Sequence, residues 1–117
     1  MIHYNVWFRF RENIEETESL DVVHAFLGEL HRAKHITAFQ LLKNSGSAAK
    51  TRMLPYQALI AFHDDAQFAA AFSAQAARGI HTGLHGRVLT MVSDFQIEVF
   101  RQISGSPFTH TAEPDFR

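Results

Sequence analysis

The stretch Ile2-His3-Tyr4-Asn5-Val6-Trp7-Phe8-Arg9-Phe10 decides how this chain is built. Successive side chains of a strand point to opposite sides. Ile2, Tyr4, Val6, Phe8 and Phe10 therefore form one continuous apolar stripe, and His3, Asn5, Trp7 and Arg9 form the other face. A plain solvent face has little use for a tryptophan, and a dry core has little use for an arginine and a histidine. The second face reads as a half-wet interface or a pocket lining.

The segments that follow alternate in character. Residues 11–19 are polar and acidic. Asn13 and Glu16 have the spacing of a capping box, with Thr17 or Ser19 as alternative caps. Glu15, Glu16, Glu18 and Asp21 suit the positive end of a helix dipole. Leu20, Val23, Leu27 and Leu30 recur at helical spacing, Val22 and Phe26 widen the stripe, and His31, Arg32 and Lys34 suit the last turn, so a helix is predicted over 15–34. Ile36 to Lys43 reads as a second strand. Asn44-Ser45-Gly46-Ser47 is turn chemistry that opens a long loop to Pro55, in which Lys50 and Arg52 read as solubilising charges.

Tyr56 to His63 reads as a third strand, followed by a helix with Asp64 as N-cap, Gln67 at N3 and Gly79 as terminator. The alanine density of that helix favours close packing on a sheet. Ile80, Leu84, Val88, Met91 and Val92 fit a further helical segment, although Gly83 and Gly86 weaken it by up to about 1 kcal/mol each. A fourth strand is predicted to begin near Phe95, with Phe95, Ile97 and Val99 on one face and Gln96, Glu98 and Phe100 on the other. The domain is placed at residues 1–103, with 104–117 as a polar C-terminal tail.

A chain of 117 residues is one domain by size, and 46% hydrophobic with 20% charged residues is ordinary for a globular protein. A net charge of −1, with basic residues scattered, gives no electrostatic footprint for nucleic acid or an anionic membrane. The absence of cysteine excludes disulfides, thiol nucleophiles and thiolate metal sites. The first residues lack the basic and apolar regions of a secretory signal, and no apolar run approaches the roughly 18 residues of a membrane span. A cytoplasmic location is expected.

The order β-α-β-β-α-β is the split arrangement of a ferredoxin-like α+β fold. Right-handed crossovers place both helices on one face of a four-stranded antiparallel sheet, with predicted strand order 4-1-3-2. Val6, Phe8, Ile60, Phe62, Ile97 and Val99 then face the helices. The uncovered face collects His3, Asn5, Trp7, Arg9, Gln57, Leu59, Ala61, His63, Gln96, Glu98 and Phe100, with either Phe39 or Gln40 from the second strand. Trp7, Leu59 and Phe100 make it too apolar to leave in water. The simplest cover is a second copy across a two-fold axis, sheet to sheet.

Several segments carry a resemblance. The first strand, the strand from Tyr56 to Phe62 running into Asp64-Asp65, and Gly79-Ile80-His81 through His85-Gly86 resemble an uncharacterised bacterial family, a domain of unknown function within the dimeric α/β-barrel superfamily. The resemblance covers about residues 1–103. The superfamily includes antibiotic-biosynthesis-type monooxygenases, chlorite-dismutase-like haem proteins, polyketide cyclases, muconolactone isomerase and stress-responsive barrel proteins. It implies the fold and a homodimer, and it assigns no activity.

Two groups of residues are candidates for chemistry. His81 and His85, four apart on a helix, would present both rings on one face and could serve as acid and base or hold a metal. No third ligand lies nearby in sequence and residues 82–84 are not those of a HExxH motif, so no metal is assigned. The second group is the open face, where His3, Asn5, Trp7, Arg9, His63, Glu98 and Phe100 are the candidate ligand-binding residues. One pairing of the first and third strands sets His3 opposite His63 and Trp7 opposite Leu59. A pairing of the first and fourth sets Trp7 opposite Glu98 and Arg9 opposite Gln96, bringing Arg9 and Glu98 toward ion-pair range. Pairing odd with even positions is taken to require a bulge or a one-residue shift.

No nucleophile triad, nucleotide-binding glycine motif or flavin fingerprint is present, the chain is short for haem ligation by His81 or His85, and no cofactor is expected. Three functions follow from these features. The first is a homodimer binding a small organic ligand beside or between the sheets, with cofactor-free oxygenase, isomerase or cyclase-type chemistry; it predicts a cavity with a histidine in its wall. The second is a non-enzymatic dimer with a filled interface. The third is a metal-binding module using His81 and His85.

Overall fold

In a computed structural model, which describes residues 1–46 and 53–105, the alternating segment forms strand β1 (Ile2–Phe10). Helix α1 (Glu16–Arg32), strands β2 (Ala38–Lys43) and β3 (Tyr56–Phe62), helices α2 (Asp65–Arg78) and α3 (Gly83–Met91), and strand β4 (Val92–Arg101) follow. The four strands make one antiparallel sheet of order β2-β3-β1-β4, the order read from the sequence. This is a ferredoxin-like fold with three helices. Lys50, Arg52 and the tail from residue 106 lie outside the described residues. No helix among the described residues is long and apolar enough to cross a membrane.

Local chemistry explains the boundaries. Glu15, not Asn13, caps α1, and its carboxylate accepts the N–H groups of Thr17 (3.1 Å) and Glu18 (2.6 Å). Asn13 instead sits at φ 68°, a left-handed turn position that asparagine tolerates. Asp64 caps α2 as its spacing implies, accepting the Gln67 N–H at 2.9 Å. Gly79 ends α2 at φ 93°. Gly86 allows α3 to form against the preceding turn. A Cβ there would lie 2.3 Å from the His81 carbonyl oxygen, so only glycine permits the approach. α3 then runs directly into β4, which begins at Val92, three residues earlier than the alternating pattern alone suggests.

Ile2, Phe8, Val23, Leu27, Ile36, Ile60 and Phe62 form the core between sheet and helices. Aromatic rings extend it in two groups. Tyr4, Phe62, Phe68 and Phe72 pack with ring centroids 4.9–6.5 Å apart. Phe8, Phe10 and Tyr56 form the other group at the far end of β1. There the Tyr56 hydroxyl donates to Glu16, which also pairs with Lys43 at 2.8 Å and fastens α1 to β2 and β3.

The register differs from the expected one by two residues. His3 faces Ala61 and Trp7 faces Gln57, not His63 and Leu59. On the other side Trp7 faces Gln96, Asn5 faces Glu98 and Arg9 faces Asp94. A two-residue slip keeps every side chain on its face, so apolar alternation cannot detect it. A bulge does occur, between Arg9 and Phe10. Along the rest of the pair, even positions of β1 meet odd positions of β4, and this alone keeps Val6 beside Ile97 and Tyr4 beside Val99. In β2, Phe39 pairs with Ile60 on the helix side and Gln40 with Leu59 on the open face.

Candidate functional site

The helix side of the sheet is not filled. A cavity of about 230 Å³ lies between the sheet and all three helices, bounded by Val23, Phe26, Leu27 and Leu30 of α1, Ala71, Phe72 and Gln75 of α2, and His85, Val88 and Leu89 of α3. Its floor is Tyr4, Val6, Phe8, Ala58, Ile60, Phe62, Phe95 and Ile97. The reason is visible in α2. Its alanines do not bring the helix down onto the sheet; only Ala71 is buried, and short side chains leave the space beneath open. β4 is correspondingly unroofed, with Phe95 62% and Ile97 41% exposed on the helix side.

Three wall residues carry polar atoms, and none of the lining residues is Asp, Glu, Lys or Arg. His85 Nδ1 lies 2.5 Å from the Ile80 carbonyl oxygen, and the ring centroid lies 5.2 Å from that of Phe26. A carbonyl oxygen only accepts, so neutral His85 carries its proton on Nδ1 and keeps Nε2 as an acceptor. The Tyr4 hydroxyl and the Gln75 side-chain amide make no hydrogen bond to another described residue. Burial raises the Tyr4 phenol above its ordinary value of 10.0, which keeps it protonated and a donor.

His81 does not join this group. It lies in the turn before α3, exposed, and is absent from the cavity wall. The spacing that would pair it with His85 applies only within a continuous helix, and this helix starts at Gly83. Among the described residues no group of three His, Cys, Asp or Glu is arranged to hold a metal ion.

The open-face residues are arranged differently. Asn5 is 4% exposed; its Oδ1 accepts from Gln57 Nε2 at 2.7 Å, and its own amide donates weakly to the His3 carbonyl at 3.5 Å. His3 borders a cleft of about 20 Å³ with Ala38, Phe39, Gln40, Leu59 and Ala61, room for about one water molecule. Trp7 is partly covered, and Phe100, opposite His3, is 55% exposed. Arg9 pairs with Asp94 at 3.7 Å rather than with Glu98, which instead accepts from Gln96 Nε2 at 3.1 Å. Four strand residues separate the two, roughly 13 Å. His63 is exposed beyond the end of β3; its backbone N–H donates to Gln67 at 2.6 Å, and it borders an open depression beside Met1 and residues 102–105. None of the seven lines the cavity.

Comparison with known proteins fixes the family. The family of unknown function DUF6614 matches residues 1–113. The chain belongs to DUF6614. No curated protein matches the sequence significantly. Among solved structures, this DUF6614 chain is similar to SnoaB, a cofactor-independent oxygenase from Streptomyces nogalater, with a TM-score of 0.68 at 12% identity over 92% of this chain and 97% of that one. It is similar to a DABB (dimeric α/β-barrel) family protein with a ferredoxin-like fold from Mesorhizobium loti, TM-score 0.66 at 14% identity over 88% and 97%. A dimeric ferredoxin-like protein of unknown function from a Jannaschia species matches at TM-score 0.62 and 16% identity over 86% and 98%. At these identities the likeness establishes the fold.

Tyr4 and Gln75 were not among the candidate site residues from sequence. Gln75 carried a signal: it occupies an apolar position of α2, on the stripe Phe68, Ala71, Phe72, Gln75. A polar residue on a buried stripe implies something polar to meet. Tyr4 carried none, because a tyrosine on an apolar strand face is ordinary core.

Proposed function

We propose that this DUF6614 protein is a homodimeric barrel whose protomers each bind a small organic ligand in the cavity beneath the helices, with His85 as the proton-accepting group. One observation carries this. The apolar space, open on the β4 side, has a single titratable imidazole in its wall, with one nitrogen committed to a backbone carbonyl and the other left as an acceptor. A base held in one tautomer inside an apolar pocket suits abstraction of a proton from a bound hydroxyl or activated C–H. Similarity to a cofactor-independent oxygenase is consistent with chemistry of that kind, without a metal or flavin. The outer face of the sheet, with Trp7 and Phe100, is the dimer surface. Its exposed Phe100 and its hydrogen-bonded Asn5 and Gln57 support association there.

The test is a thermal-shift screen of neutral aromatic fragments against the full chain and a Leu89→Trp variant that fills the cavity from α3. Fragments that raise Tm in the parent and not in the variant support the site. Fragments that act equally on both overturn it.

A further inference from the structure

We infer that the cavity selects uncharged, flat ring compounds of one or two fused rings that carry a hydroxyl group, and rejects carboxylated ones. This rests on the cavity being the ligand site. The wall supplies aromatic faces from Tyr4, Phe8, Phe26, Phe62, Phe72 and Phe95, against which a flat ring packs better than a branched aliphatic one. The volume, about 230 Å³, holds on the order of a dozen heavy atoms at interior packing density.

Charge selectivity follows from what the wall lacks. No lysine or arginine lines the cavity, so a carboxylate bound against its apolar wall would lose part of its water and gain no counter-charge. The arginines next in sequence to wall residues, Arg9 beside Phe8 and Arg87 beside Val88, are exposed and do not line the cavity. Hydroxyl selectivity follows from His85. With Nδ1–H given to the Ile80 carbonyl, Nε2 is an acceptor that a ligand O–H satisfies and a ligand carbonyl does not. The Tyr4 hydroxyl and the Gln75 amide are the remaining donors, placed for an acceptor oxygen elsewhere on the ring system.

The experiment is calorimetric titration of the full chain at neutral pH with naphthalene, 1-naphthol and 1-naphthoate, which share one ring frame and differ in the polar group. The expected result is that 1-naphthol binds about tenfold more tightly than naphthalene, the yield of one hydrogen bond in an apolar site. 1-Naphthoate is expected to bind on the order of a hundredfold more weakly than 1-naphthol. His85→Phe should abolish the preference for naphthol while retaining naphthalene binding. Naphthoate bound as tightly as naphthol, or a naphthol preference that survives His85→Phe, overturns the selectivity and leaves the cavity as the site. No binding by any of the three, or binding unmoved in both Leu89→Trp and Ala71→Leu, overturns the cavity reading itself and the selectivity with it. Two filling variants are used because either one alone can fail to fold.

Discussion

Phe100→Ala offers a quantitative test of the association surface. Phe100 is 55% exposed on the uncovered face of β4, so the protomer itself uses less than half of the ring. A buried aromatic side chain removes roughly 150–250 Å² from water, so about 80–140 Å² of Phe100 remains for a partner to cover. At about 25 cal/mol per Å² this is ~2–3.5 kcal/mol per protomer. A two-fold axis uses the residue twice, giving ~4–7 kcal/mol per dimer. Association converts area to affinity incompletely, so the lower end is appropriate; ~4 kcal/mol raises the dimer Kd about a thousandfold. Because the ring is exposed in the protomer, Phe100→Ala should lower protomer stability by less than about 1.5 kcal/mol. Sedimentation equilibrium over a wide concentration range reads the dimer constant, and denaturant unfolding reads the protomer. A parent protein that sediments as a monomer at all concentrations, or a variant whose dimer constant is unchanged, refutes the assignment.

Three further outcomes test other parts of the structure. Gly86→Ala should destabilise by about 2 kcal/mol or more, because its Cβ would lie 2.3 Å from the His81 carbonyl oxygen and α3 must move away; urea unfolding measures this. Gln57→Ala removes the partner of the buried Asn5 Oδ1 and should cost about 1–3 kcal/mol, whereas the double variant with Asn5→Val should recover part of it. Stability should also bend at both ends of the pH scale. Lys43, then Tyr56, holds Glu16 below its ordinary 4.5, and Arg101 holds Asp65 below its ordinary 3.8. Depressed folded values give stability that is present above the ordinary values and lost as pH falls through the folded ones, and Glu16→Gln should flatten that acid limb of a Tm profile. Tyr56, pushed up to about 12 by burial and then by Glu16, loses its contribution as pH rises from its ordinary 10 toward 12, and Tyr56→Phe should flatten the alkaline limb.

Much of the architecture was legible because it depends on properties that sequence carries locally. Period-two alternation in Ile2–Phe10 and Tyr56–Phe62, the Asp64 cap and the Gly79 terminator act through neighbouring residues. The strand order follows from crossover handedness. What was not legible depends on distance in space. The two-residue register shift preserves every face, so no hydrophobic pattern reports it. The capping of α1 by Glu15 rests on a long side chain folding back on its own backbone, in competition with an asparagine better suited to the turn.

The site was half visible. The spacing of His85 from His81 points to His85, but it does not apply as a helical pair because His81 precedes the helix, which starts at Gly83. Its position in the wall comes from α3 packing on α1, where Phe26 meets the imidazole. The hollow beneath the helices was obscured by the alanines of α2. Small side chains can mean close approach or a gap, and here Tyr4 and Phe62 of the sheet stand against Phe72 of α2 beside the gap.

The most direct measurement is a crystal structure of the full chain grown with 1-naphthol. The expected result is ring density between the helices and the sheet, with its oxygen in hydrogen-bond reach of His85 Nε2, and a second copy packed over Trp7 and Phe100. Ligand density on the outer face beside His3 and Trp7, with the space under the helices filled by protein side chains, would contradict it.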